Sequence, residues 1–148
     1  MRQPLNIMGS ILPILVILAG CGNAWSPSPT LAPNQPNGSS PLASAMVAMD
    51  AQLVQTLDAV MADSSHSWEG RRLMSHDFLA LAPTAASMIN GHFEAQAPTY
   101  HLAIEQFNAS PSAKHYNEVV ASCTQCHLGT CPGPLDRIAK REMREDGS

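Results

Sequence analysis

The stretch Ser110-Pro-Ser-Ala-Lys-His-Tyr-Asn-Glu-Val-Val-Ala-Ser-Cys-Thr-Gln-Cys-His127 decides the reading of this chain. Pro111 suits the first turn of a helix, where a missing N–H costs no hydrogen bond. Tyr116, Val119, Val120 and Cys123 then fall on one face of a 3.6-residue period. The segment reads as a helix that runs directly into Cys123-Thr-Gln-Cys126-His127. Cys131-Pro-Gly-Pro134 follows and cannot continue a helix.

Working outward, the same period recurs upstream. Leu42, Met46, Met49, Leu53, Leu57 and Val60 form a helical stripe, and Ser40-Pro41 supplies a cap with proline in the first turn. Asp63-Ser-Ser-His66 breaks this helix. Ser67 predicts the start of a second, with Trp68, Arg72, Leu73, Phe78 and Leu81, ended or kinked by Pro83. Residues 84–109 predict a third helical region. Its apolar patches (Met88, Ile89, His92, Phe93 and Tyr100, Ala103, Ile104, Phe107) flank Pro98, so it is one kinked helix or two short ones. Leu135, Ile138 and Ala139 give residues 135–145 the apolar face of a short charged helix. No alternating strand pattern appears. The expected fold class is all-α, an up-down-up-down four-helix bundle with the Cys/His motif at its C-terminal end.

The chain has 148 residues, which bounds it to roughly one domain. Only 14% are charged, and the net charge is −4 with no Lys/Arg stripe, so nucleic acid is not an expected partner. No nucleophile, base or substrate motif stands out, and an enzyme is not expected. Seven aromatic residues provide little large apolar surface for a core. A small domain of this kind calls for a staple such as a metal, a disulfide or a cofactor.

Residues 1–20 read as an export signal. Arg2 is followed by an apolar run from Ile7 to Ala19, shorter than the roughly 20 residues needed to span a bilayer. The run ends in Leu18-Ala-Gly-Cys21, which resembles the lipobox of bacterial lipoproteins. That resemblance implies cleavage before Cys21 and lipidation of its thiol, with several acyl chains giving a stable membrane anchor. Residues 21–41 are then the lipidated cysteine and a Pro/Ser-rich disordered tether, with five prolines between 22 and 41. Gly22 stands where an Asp is associated with inner-membrane retention. By resemblance, the periplasmic face of the outer membrane is slightly favoured.

Cys123-x-x-Cys126-His127 is the attachment signature of c-type haem. Two thiols add across the two vinyl groups on one porphyrin edge, and the adjacent imidazole reaches the iron. With 4 Cys and 6 His in the chain, chance occurrence is about 0.004. Other chemistries use similar residues. Cys123, Cys126, His127 and Cys131 supply a Cys₃His zinc set, and Cys123 with Cys126 supplies a disulfide. Residues 42–131 are thus expected to be a helical haem-binding domain and 132–148 a C-terminal tail.

In ordinary small cytochromes c this motif lies near the N-terminus. Here only 21 residues follow it. Late placement on a helical chain resembles the cytochrome c′ / cytochrome c556 family of four-helix-bundle haem proteins. The resemblance covers residues 41–130. It implies one covalent haem c, Cys123 and Cys126 as thioether anchors and His127 as proximal ligand. The chain departs from the family in its shorter helices, and in Leu128-Gly-Thr-Cys-Pro-Gly-Pro where a helix with a basic residue would continue.

In an up-down-up-down bundle the end of the last helix lies beside the start of the first. Met49 and Met46 lie there and are the candidate second axial ligands. A thioether gives a six-coordinate iron of raised potential, suited to one-electron transfer with periplasmic partners. This resembles the c556 branch. An apolar residue there would instead leave a five-coordinate, gas-binding iron, as in the c′ branch. A zinc- or disulfide-stapled lipoprotein is the reading without haem. Of the other histidines, His92 has the most apolar neighbours. Arg71 and Arg72 read as a solvated pair or as partners of haem propionates. A homodimer is compatible with the sequence.

Overall fold

The computed structural model describes residues 39–144. The expected leader, the expected lipidation site Cys21, most of the expected tether and the last four residues lie outside the described residues. Among the described residues there are four α-helices and no strand, as the all-α expectation required.

α1 (Pro41–Met61) starts where the sequence said it should. The Ser40 hydroxyl accepts from the Ala43 N–H at 3.1 Å, satisfying one of the otherwise unpaired donors of the first turn. Leu42, Met49, Leu53 and Val60 are buried, while Met46 lies half-buried on the same stripe. After Ala62 the chain turns, with the Asp63 carboxylate accepting from both the N–H and the hydroxyl of Ser65. Those two bonds hold the Asp63 carboxyl below its ordinary value.

The helix expected from Ser67 does not form. Residues 62–90 instead make an irregular strap with two short 3₁₀ turns, Phe78–Ala80 and Ala86–Met88. The Ser67 hydroxyl accepts from Glu69, two residues on, rather than capping a helix. Gly70 sits at φ +72°, a conformation in which glycine carries no steric penalty. The apolar residues Trp68, Leu73 and Phe78 are spaced by five, which no α-helical face accommodates.

The strap's backbone finds partners on other elements. Asn108 donates its amide to the Leu73 carbonyl and accepts the Leu73 N–H, both at 2.8 Å. Gln52 accepts the Met74 N–H at 2.8 Å, and the Tyr100 hydroxyl accepts the His76 N–H at 3.4 Å. The Arg71 guanidinium reaches the Ala59 carbonyl, and Leu42 donates to the Ala82 carbonyl. The strap therefore runs back along α1 from its last turn to its first.

α2 (Gly91–Ala109) is one continuous helix with Pro98 inside it, which settles the two alternatives for this region. It begins at Gly91 rather than near residue 84, because the Asn90 side chain caps it by accepting from Phe93 at 2.9 Å. Phe93, Ala97, Tyr100, Ala103, Ile104 and Phe107 make its buried stripe. α3 (Ala113–Thr130) follows after a three-residue link and is capped by the Ser112 hydroxyl. Asn90 and His92 at the start of α2 contact Gly129 and Gln125 at the end of α3, so the two helices form an antiparallel hairpin.

α4 (Leu135–Ile138) and the turn Ala139–Arg141 bring the chain back onto the bundle. Ile138 is buried. Arg141 grips Asp50 of α1 with two bonds of 2.7 and 3.0 Å. Asn117 of α3 exchanges two hydrogen bonds with the Met143 backbone, each 2.9 Å. The part of the expected tail within the described residues is thus docked.

The core is tied by two aromatic groups. Trp68 of the strap meets Tyr116 at 5.2 Å and Phe107 at 6.0 Å. Phe78 stacks on Tyr100 at 4.5 Å. Offset and edge contacts of this kind add about 0.5–1.5 kcal/mol each beyond area burial.

Candidate cofactor-attachment site

Cys123, Cys126 and His127 occupy the last two turns of α3. At 100° per residue they fall within roughly a 100° arc of the helix. That arc continues the buried stripe of Tyr116, Val119 and Val120. Both thiols are free and half-buried, and both pack against the edge of the apolar core.

Burial pushes the Cys123 thiol up to about 11, with only the Ser122 hydroxyl and its own backbone N–H opposing the shift. Burial raises Cys126 as well. Loss of hydration disfavours the thiolate, so both remain protonated at neutral pH. Two units above the ordinary thiol value of 9.0 correspond to a roughly hundredfold smaller thiolate fraction at pH 8. Cys123 is expected to alkylate with iodoacetamide about a hundredfold more slowly than an ordinary thiol. Its rate should rise about tenfold per pH unit until about pH 11. Peptide mapping after timed labelling reads this, and a rate that levels off near pH 9 contradicts it.

The His127 ring is fixed by the chain that follows it. Its Nδ1 lies 2.8 Å from the Cys131 carbonyl, and a carbonyl can only accept, so Nδ1 carries the proton. In the neutral ring, Nε2 then holds the free lone pair. The Cys131 N–H in turn donates to the His127 carbonyl at 3.1 Å. Cys131 thus acts through its backbone. As the capping residue of α3, it closes both bonds to His127, and Pro132 follows where the helix must end.

His92 and Gly129 brace the same two turns from another side. His92 Nε2 lies 2.8 Å from the Gln125 carbonyl, inside the Cys-x-x-Cys segment. A Cβ at residue 129 would fall within the His92 ring, so only glycine lets the imidazole lie against α3. His92 is placed as a brace rather than beside the motif's buried arc. The sequence had marked it only by its apolar neighbours.

The two candidate methionines differ. Met49 is 2% exposed, deep in the core, whereas Met46 lies half-buried at the edge of the same cluster as Cys123 and Cys126. Asp50, one residue after Met49, is close enough to raise both Cys123 and Tyr116 slightly. Tyr100 is also coupled to Cys123, although burial is the main reason its phenol is pushed up to about 12.

Arg71 and Arg72 are not brought to the motif. The Arg71 N–H bonds to the carbonyl of Trp68, which packs on Tyr116, eleven residues before His127. That is about 16 Å along the axis of α3. The zinc set is not assembled either. Among the described residues no three His, Cys, Asp or Glu side chains converge as a metal-binding group. Among the same residues no helix is long and apolar enough to cross a membrane. No known family model, no characterised protein and no solved structure matches this chain.

Proposed function

We propose that this chain carries one covalent haem c and passes single electrons between periplasmic redox partners. The lipid on Cys21 would hold it at the membrane, and residues 22–40 would tether the domain. Cys123 and Cys126 are the thioether anchors and His127 the proximal ligand. The observation that carries this reading is the lock on His127. One ring nitrogen is committed to the Cys131 carbonyl, and the other keeps its lone pair, on the same arc of α3 as two free thiols. Metal-bound imidazoles commonly use such an outer bond to fix tautomer and orientation. When bound, the group supplies a one-electron iron couple whose potential depends on its axial ligands.

The protein's own residues suit that role. A protonated Cys123 oxidises slowly, which favours a reduced thiol until the vinyl group is added. In this reading the strap would serve as the descending second leg of an up-down-up-down order, in place of the helix expected there. Its contacts alternate between α1 and α2, and α2 returns through α3. Tyr116 donates its hydroxyl to the Leu53 carbonyl at 3.1 Å, which ties α3 to α1 at one point. If α3 runs antiparallel to α1, counting from that bond would bring Cys123 level with Met46 and Val120 level with Met49. Met46 is the better placed thioether, and Met49 is the alternative one.

The reduced spectrum with and without CO tests this. Wild type is expected to show a low-spin α band that CO leaves unchanged. Met46→Ala should give a high-spin, CO-binding iron, and Met49→Leu should not. A wild-type protein that binds CO would have a five-coordinate iron with an open sixth position, and the gas-binding reading would replace electron transfer. If both variants stay low-spin, the ligand is not on α1.

A further inference from the structure

One end of the domain is built from uncharged segments, and the Cys/His motif lies there, at the close of α3. Asn90 donates its amide to the Gly129 carbonyl, and His92 Nε2 lies 2.8 Å from the Gln125 carbonyl, so the end of the strap reaches this place. The start of α1 meets the same stretch of strap. Leu42 donates to the Ala82 carbonyl at 3.1 Å, and the Thr84 hydroxyl bonds to Ser40 at 3.0 Å. Residues 82–90 therefore join the first turn of α1 to the last turns of α3. The three segments that contribute here, 39–49, 78–93 and 119–135, contain no Asp, Glu, Lys or Arg. Asp50, Asp77, Glu94, Glu118 and Asp136 are the first charges beyond them. Their two imidazoles, His92 and His127, each lie against a backbone carbonyl.

This uncharged end is open to solvent. Leu128 is 56% exposed, and Ala82, Ala85, Ala86, Pro132 and Gly133 are exposed with it. Met61, Met74, Leu79 and Leu102 are exposed to a similar degree, but each has a charged residue within three positions in the chain. Leu128 has none. Exposed apolar surface that gathers in one place marks contact with a protein or a membrane. Lipid penalises every charge brought into it, so the uncharged end is the one that meets a bilayer at least cost. The point of attachment favours the same occupant. The chain from Cys21 enters the domain at Ser40, where α1 is capped. An acylated Cys21 therefore holds this end, and not the charged one, next to the membrane.

We propose that the uncharged end is a membrane-contact surface, with Leu128 and the stretch from Ala82 to Ile89 set against the headgroup boundary of the bilayer. The proposal rests on the lipid-anchored reading above. The acyl chains supply the affinity, and the surface sets the orientation. The Cys123–His127 motif is thereby turned toward the membrane.

Photo-crosslinking of the full chain reads this orientation. The protein is placed on vesicles of phosphatidylethanolamine and phosphatidylglycerol that carry a lipid with a diazirine at headgroup depth, and adducts are mapped by peptide mass spectrometry. Adducts are expected about fivefold more often per residue on 82–89 and 125–133 than on 62–72 and 104–118. Leu128→Glu, which places a charge on the exposed face, should lower the adducts on both favoured segments about threefold. Equal labelling of the two ends, no adducts on 82–89 and 125–133, or a map that Leu128→Glu leaves unchanged overturns the proposal. In that case a protein or a second copy of this chain is the better occupant. Intact mass reads the anchor separately. A Cys21 without lipid defeats the anchored reading, and the adduct map of that chain on the same vesicles still decides the surface.

Discussion

Tyr116→Ala is expected to destabilise the fold by about 3–5 kcal/mol, the range for truncating a large buried aromatic. Small domains have only about 5–15 kcal/mol in total, so much of the protein would be unfolded at 37 °C. Tyr116 is fully buried and joins every layer. It sits on α3, touches Trp68 of the strap and Phe107 of α2, and donates its hydroxyl to Leu53 of α1 at 3.1 Å. Tyr116→Phe keeps the ring and loses only that bond, so about 1 kcal/mol is expected. Urea unfolding followed by circular dichroism measures both. Equal losses for the two variants would mean that the hydroxyl, not the ring, carries the contribution.

Replacing both Cys123 and Cys126 by serine should leave the haem-free fold nearly intact and remove covalent haem entirely. Serine is close in size, and the two thiols make no disulfide. Each is only half-buried at the edge of the core, so the cost in stability should stay near 1–2 kcal/mol per site. Acidified acetone should extract all haem from this variant and none from wild type. Haem retained by the double variant after extraction would place the covalent link elsewhere.

Much of this architecture is legible in the chain. Ser40-Pro41, the stripe from Leu42 to Val60, and Cys131-Pro-Gly-Pro134 act through local rules, and α1 and α3 begin or end within two residues of those signals. Asn90 acts as locally as Ser40, yet Asn-Gly reads as readily as a turn. The strap is a different case. Its backbone is satisfied by Asn108, Gln52 and Tyr100, residues 22 to 35 positions away, and no local pattern announces such partners. Leu73, Phe78 and Leu81 read as a helical stripe, and only the spacing of five between Trp68, Leu73 and Phe78 speaks against it.

The site divides in the same way. Cys123, Cys126 and His127 fall within five consecutive positions and are legible from the sequence alone. The role of Cys131 was not, because it acts through a carbonyl that any residue would have. His92 and Gly129 are 37 positions apart, and their mutual fit exists only once α2 and α3 pair.

The central claim is that this chain is a covalent haem protein. Its most direct test is the intact mass and visible spectrum of the full chain expressed with the c-type maturation machinery. The account predicts one added haem, a Soret band and a sharp reduced α band, all lost in the double serine variant. A colourless protein with the mass of the polypeptide and its lipid alone would contradict it.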